Sequence, residues 1–420
     1  MRQEIPAAGI QPALASHAPL GLGAFVALLA ALMALNALAT DIMLPGLPQM
    51  VPDLGAADTT EMQKVITAYL LGFGIGQIFI GVVTDRFGRR RPLIAGLAVY
   101  LGCSLFVAAA PDMQLVLVAR FLQGLGASTT RVITTATVRD CYAGRRMARV
   151  MSLTMMVFMA APVIAPGLGQ LILAVASWRV IFVILAVYSG ALLVICLRRY
   201  PETLPPERRL PIRADRIRAG LASVLGNRQT VGYTLAAGTV FGGMFGYINS
   251  SQQLLVDVYG LGTLFPAVFA ITAAALAVTA FVNARLVERL GMRFLSHGAS
   301  CGYVALALAM TALEAAGLLG IWPLVLILIA MTLLMGLIFA NFNALAMAPQ
   351  GRVAGIAASL TGAGGTVIGA LIGYVIGQAF DGSAMPLALG FTLSGSATLI
   401  LILIAEKGRL FRRGDPLTGL

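Results

Sequence analysis

A chain of 420 residues with 59% hydrophobic and only 11% charged side chains, and a mean hydropathy of +0.90, departs from soluble usage, where about a quarter of residues are charged. That balance excludes a water-soluble domain and makes a bilayer the expected solvent. The formal charge of +12 would point to a nucleic-acid partner only if the cations formed one surface, and along this chain they fall in alternate loops instead, so no nucleic acid is expected.

A helix crosses a bilayer with about 20 apolar residues, because only internally bonded backbone is tolerated there. Twelve such spans are predicted, at 21–44, 63–83, 92–110, 114–137, 150–173, 177–197, 229–254, 262–284, 296–317, 321–346, 353–379 and 384–405. The first is too long for a cleavable signal and is expected to stay as a span. The fold class is therefore an all-α integral membrane protein. Arg2, the loops after the even-numbered spans and the tail after the last carry nearly all the cations, while only Lys64 and Arg179 sit in loops of the other side. The positive-inside rule then puts both termini in the cytoplasm.

The first span ends in Asn36-Ala-Leu-Ala-Thr-Asp41-Ile-Met-Leu-Pro-Gly-Leu-Pro48, and Asp41 is the one charge in that run. A carboxylate at membrane depth costs about 2.5–3.5 kcal/mol on insertion scales unless it meets water or a partner. After span two, Gly81-Val-Val-Thr-Asp85-Arg86-Phe87-Gly88-Arg89-Arg90-Arg91 concentrates charge in a short loop. A positive-inside anchor explains its arginines but neither the acid nor the glycine spacing. Gly81 suits close helix approach and Gly88 a tight reversal. Span four carries Arg120 and, eleven residues on, Arg131, which share a helical face about 16 Å apart in depth. Span one runs outward and span four inward, so Asp41 and Arg120 are expected at similar depth, facing each other or a shared water pocket. Arg131 either lines the same wall or packs against backbone carbonyls.

The polar stretch from Arg198 to about Arg228 divides six spans from six. The expected organisation is a tail at 1–20, a bundle at 21–197, a cytoplasmic linker at 198–228, a second bundle at 229–405 and a tail at 406–420. Asp85-Arg86-Phe-Gly88-Arg-Arg90 recurs as Glu288-Arg289-Leu-Gly291-Met-Arg293, a trace of duplication. The second half offers no embedded acid, since Asp257, Glu314 and Asp381 fall at outer ends. Cys103, Cys141, Cys196 and Cys301 lack metal-ligand spacing and read as unpaired. His17 and His297 lie far apart in sequence and no nucleotide-binding loop appears, so neither an enzyme nor a primary pump is indicated, and no metal or cofactor is expected.

The loop of glycine, acid-arginine, glycine and basic residues resembles that of the major facilitator superfamily. Further stretches resemble its bicyclomycin and chloramphenicol resistance (Bcr/CflA) branch of drug:proton antiporters: Asp41-Ile-Met-Leu-Pro-Gly-Leu-Pro48, Arg120-Phe-Leu-Gln123-Gly124-Leu-Gly126, Thr137-Val-Arg139-Asp140, Trp178-Arg-Val-Ile-Phe182, Pro201-Glu-Thr-Leu-Pro205 and Phe380-Asp-Gly. Pro162, Pro166, Gly167 and Gly169 look like the antiporter signature of span five, with Ala165 and Gln170 where the family usually has glycine. A proline-bent helix without functional consequence is the other reading of that stretch.

The resemblance implies a fold of two six-helix halves related by a pseudo-twofold axis. It implies a cytoplasmic gate of Gly81, Asp85, Arg86, Gly88, Arg89, Arg90 and Asp140, in which Asp85 meets the start of span eleven near Gly355 and Ala357 while Arg89 pairs with Asp140. Spans one, four, seven and ten would line a cavity. Its expected lining is Met33, Asn36, Gln123, Phe241, Phe245, Asn249, Gln252, Asn341 and Asn343, although an aromatic stripe such as Phe241 and Phe245 also reads as core. The implied activity is export of small amphipathic compounds of the chloramphenicol, florfenicol, bicyclomycin or sulfonamide type, driven by the proton gradient, with Asp41 and Arg120 coupling the two; Arg131, on the same helical face as Arg120, is a further coupling candidate that the resemblance does not require. A monomer in a bacterial inner membrane is expected. The alternatives are an exporter of an endogenous sugar, amino acid or siderophore, an uptake symporter, which the proline-bearing span five disfavours, and a non-transporting receptor or scaffold.

Overall fold

A computed structural model describes residues 21–142, 144–209, 211–350 and 353–411; the expected tail at 1–20 and the end of the tail at 406–420 lie outside them. Among the described residues there is no strand, and the helices run α1 (Leu22–Asp41), α2 (Leu47–Leu54), α3 (Thr59–Phe87), α4 (Arg90–Ala109), α5 (Met113–Cys141), α6 (Gly144–Leu173), α7 (Trp178–Arg199), α8 (Ala214–Leu225), α9 (Arg228–Gln252), α10 (Phe265–Leu290), α11 (Met292–Ala315), α12 (Ile321–Met347), α13 (Ala354–Gln378) and α14 (Met385–Ala405). Ten of these stretches are long and apolar enough to cross a membrane. The helix α5 falls short because Arg120, Arg131 and its run of threonines dilute the apolar residues. In α6 the apolar part is the shorter stretch Ala161–Leu173.

Polar side chains start several helices. Asp58 accepts from Glu61 N at 2.8 Å while Glu61 reaches back to Ala57 N at 3.0 Å, satisfying two orphan donors at the head of α3. Asp112 accepts from Leu115 N, and Asn227 from Thr230 N, each at 2.9 Å. The reversals from α3 to α4 and from α10 to α11 fall on Gly88 (φ 86°) and Gly291 (φ 80°), the glycines of the sequence repeat. A left-handed φ favours glycine because a Cβ there meets its own carbonyl.

Packing separates the described helices into two groups. In the first, α3 and α4 pack on α5, α4 on α7 and α1 on α6; in the second, α9 packs on α12, α13 and α14, and α11 on α12 and α14. The groups meet along α3 with α13 and along α6 with α10. Lipid gives no hydrophobic drive for helix association, so close backbone approach through small residues must supply the contact. Along α3 a Cβ on Gly74 would strike Val367, and one on Gly81 the Ser359 hydroxyl, both on α13. Within the first group Gly72 lies on the Phe121 carbonyl and Gly124 on that of Tyr69, which brings α3 and α5 into backbone contact.

Gly72→Ala and Gly124→Ala should each destabilise the protein by about 1–3 kcal/mol, as overpacking against backbone does. Gly102, with open space around it, should tolerate alanine without loss. Thermal unfolding of the purified variants in one detergent checks this; equal midpoints for all three would contradict the packing described.

Candidate functional site

The helix α1 stops where the sequence removes its donors. Pro45 has no N–H to offer the Asp41 carbonyl and restricts the residue before it. Two residues earlier, in the last turn, the Ala39 carbonyl accepts from a side chain: Arg120 Nη2 donates to it at 3.0 Å. The same guanidinium donates through Nε to Val65 O at 3.2 Å and through Nη1 to Gln123 Oε1 at 2.6 Å. It lies 4.4 Å from the centre of the Tyr69 ring and 5.6 Å from that of Phe182. Arg120 is fully buried, and a cation at a helix C-terminus is favourable. Tyr69 OH donates to Asn36 Oδ1 at 2.8 Å, and Gln123 Nε2 to Ser104 Oγ at 2.7 Å, so one polar layer links α1, α3, α4 and α5.

This layer corrects two expectations. Of the two arrangements expected for Asp41 and Arg120, direct facing does not occur; backbone carbonyls and an amide take one donor from each nitrogen of the guanidinium. Gln123 does not line a cavity, because both ends of its amide are engaged inside the bundle and it is fully buried. The motif around Arg120 has a physical reading throughout: Arg120 caps α1, Gln123 relays to α4, Gly124 admits α3, and Gly126 lies against the Gly96 carbonyl.

Asp41 is 3% exposed, and its Oδ1 has no hydrogen-bond partner among the described residues. It continues the α1 stripe of Ala34 and Ala37, which packs on Ala161 of α6. Further along α6, a Cβ on Gly169 would collide with the Ile42 carbonyl next to Asp41. Pro162 and Pro166 lie inside α6, which runs unbroken through both. Each proline leaves the carbonyl four residues earlier without its helical donor. Gly167 points the other way, toward Pro266 of α10. One helix thus touches the stripe carrying Asp41 and the second group of helices.

Arg131, about one turn past the middle of α5, is half-buried, and no hydrogen bond or ion pair of its guanidinium occurs among the described residues. Met33 is buried in α1. In the second group Phe241 stacks on Phe339 at 3.9 Å and on Phe245 at 5.7 Å, joining α9 to α12. Phe339 was not singled out by the sequence pattern. Asn249 Nδ2 donates to Gly373 O at 3.1 Å while its Oδ1, like Gln252 Oε1, is buried without a partner among the described residues. Asn341 bonds Asn283 of α10 at 2.7 Å, and exposed Asn343 bonds its own helix at Phe339 O. Asn341 therefore braces α12 against α10.

At the arginine-rich end, Arg89 is 3% exposed and donates to Asp140 at 2.9 Å and to Asp85 at 2.8 Å. The second oxygen of Asp85 lies 4.0 Å from the Cβ position of Gly355 in the first turn of α13. Arg86 is exposed, and Arg90 donates to the Leu197 carbonyl at 2.5 Å. Glu202, in the Pro-Glu-Thr segment after α7, accepts from the backbone N–H of Arg89 at 2.8 Å and of Arg90 at 3.3 Å, capping α4. A Cβ on Gly88 would strike Glu202, a second reason for glycine there. The second half carries a counterpart. Glu406, directly after α14, is buried and accepts from Arg293 Nε and Tyr233 OH, each at 2.8 Å. That half therefore holds a buried acid just past its last span, at its arginine-rich end.

Two six-helix groups meeting along α3–α13 and α6–α10, with charged side chains held inside the first, define a multi-pass membrane transporter. The Major Facilitator Superfamily model matches residues 29–373, and the chain belongs to that superfamily. It is 32% identical over 359 residues, 83% of this chain and 87% of the relative, to the uncharacterized MFS-type transporter YdgK of Bacillus subtilis (strain 168). It is 26% identical over 390 residues, 90% and 94% of the two chains, to a bicyclomycin resistance protein homolog of Haemophilus influenzae. The crystal structure of the human organic anion transporter MFSD10 (TETRAN) superposes with a TM-score of 0.72 over 92% of this chain and 100% of that one, and at 17% identity it shows the fold alone.

Lysine in place of Arg120 keeps the charge but cannot reach three acceptors in three directions. With charged hydrogen bonds contributing about 1.5–3 kcal/mol each, Arg120→Lys should lower stability by about 3 kcal/mol or more. Denaturant titration of the purified variant checks this, and wild-type stability would contradict the capping role.

Proposed function

We propose that this transporter is a proton-coupled antiporter that exports small amphipathic drug-like compounds from a bacterial cell. The observation that carries the reading is Asp41: a carboxylate shut away from solvent, with one oxygen unpartnered, on the α1 face packed against α6. A buried acid without a counter-charge is held in the membrane only where gaining and losing a proton is part of the work.

The cycle follows from which species fits. With the substrate site open to the cytoplasm, Asp41 gives up its proton and a compound takes its place. With the site open outward, a proton from the acidic side returns to Asp41 and the compound leaves. Protonation turns the carboxylate into a donor, and the stretch of α6 that faces α1 carries carbonyls freed by Pro162 and Pro166. Because α6 also borders α10, its seating on α1 can bias the angle between the halves. Asp85, Arg89 and Asp140 act as a latch on the cytoplasmic side, closed in the arrangement described and released when that side opens. Arg120 holds α1, α3 and α5 in register, and Arg131 supplies positive charge to the cavity wall. Both termini are assigned to the cytoplasm of an inner-membrane protein acting as a monomer without cofactor. The name of the Haemophilus influenzae relative supports bicyclomycin-type substrates first.

With one proton per substrate, a pH difference of one unit sustains about a tenfold concentration ratio. Wild-type protein in proteoliposomes should reach that order of accumulation with bicyclomycin, chloramphenicol or florfenicol. Asp41→Asn should exchange substrate down its gradient but show no pH-driven accumulation. Full accumulation by that variant would refute the coupling role.

A further inference from the structure

At the arginine-rich end of the second group, α9, α11 and α14 leave between their ends a cavity of about 580 Å³ that takes no part in the cycle above. Its walls include Arg228, Gln229, Arg293, Glu406, Lys407 and Arg409. The one acid, Glu406, is occupied by Arg293 and Tyr233, each at 2.8 Å. Arg228, Lys407 and Arg409 form no ion pair among the described residues, so three exposed cations face one hollow without a compensating charge. The helices α9 and α11 begin here, at Arg228 and Met292, with N-termini that add positive potential, while the C-terminus of α14 at Ala405 offsets part of it.

The backbone is shaped to keep these cations in place. After α14 the chain turns through Lys407 (φ 55°) and Gly408 (φ 74°), with Gly408 N bonded to Leu403 O at 2.8 Å and Arg409 N to Glu406 O at 3.2 Å. Left-handed backbone is unfavourable for lysine and persists where the surroundings over-determine it. The turn returns Lys407 and Arg409 to the rim of the cavity. Alongside, α14 presents Ile400, Leu403 and Ile404 as exposed apolar side chains. Unpaired cations around a hollow, bordered by an apolar strip at a membrane surface, suit a phosphate group that carries acyl chains.

We propose that this cavity is a binding site for the phosphate headgroup of an anionic phospholipid of the cytoplasmic leaflet, with the acyl chains lying on α14. The proposal rests on the cytoplasmic assignment of this end made above, while its binding test does not depend on transport. Phosphatidylglycerol is titrated into the purified full chain and bound lipid is counted by native mass spectrometry, with phosphatidylcholine as the zwitterionic comparison. Wild-type protein should prefer phosphatidylglycerol by about tenfold or more, given three cations at a membrane surface. The triple variant Arg228→Gln, Lys407→Gln, Arg409→Gln should lose that preference. Arg198→Gln, Arg199→Gln, Arg218→Gln, an equal change of charge at exposed positions of the same end, should keep it. Equal binding of the two lipids, or equal loss in both triple variants, would overturn the site. Displacement of the lipid by millimolar inorganic phosphate would assign the cavity to a soluble phosphate and overturn the lipid assignment.

Discussion

The end of the first transmembrane helix sets the terms for the rest of the molecule. In a bilayer a helix terminus cannot hand its orphan carbonyls to water, so each needs a donor from the protein. The α-helix is not continued beyond Asp41, and the Arg120 side chain supplies a donor from α5 to the Ala39 carbonyl of its last turn. Its other donors go to Val65 O and Gln123, and its flat face lies over Tyr69. Each of the arginine's three guanidinium nitrogens thus donates to a backbone carbonyl or an amide. The carboxylate two residues from the carbonyl it caps is left without a neutralising partner.

That division of labour gives the first bundle its character. A buried ion pair between Asp41 and Arg120 would hold the acid in its charged form and resist protonation. With the arginine bound to carbonyls and an amide, Asp41 has no cationic partner among the described residues. Its neighbour α6 meets α1 through Ala161 and Gly169 and meets α10 beside Gly167. Small residues thus line the route from the acid to the second half, where a helix shift of tenths of an ångström is felt. At the opposite end Arg89 is shared by two acids on α3 and α5, one of which also lies against the first turn of α13.

Hydropathy and the positions of arginine made the spans legible, and the repeat around Gly88 and Gly291 proved to be a shared left-handed reversal. Asp41 stood out because a lone acid in an apolar run has few explanations. The mistaken pairing with Arg120 came from depth alone: spacing tells that two residues lie level, but not how each helix is rotated about its axis. Gln123 was misplaced because a polar residue in a span reads equally as cavity or as bridge, and Ser104 of α4, which decides the matter, lies nineteen residues earlier on another helix. Glu406 was missed because apolarity ends at Ala405, so the next residue counted as tail although Arg293 and Tyr233 bury it.

What the account requires is that a compound and a proton exclude each other at Asp41. The most direct measurement is proton release when a substrate is added to purified protein in weakly buffered detergent. The account predicts release approaching one proton per bound compound in the wild type and none from Asp41→Asn. Tight binding with no proton released by the wild type, or the same release by the variant, would contradict it.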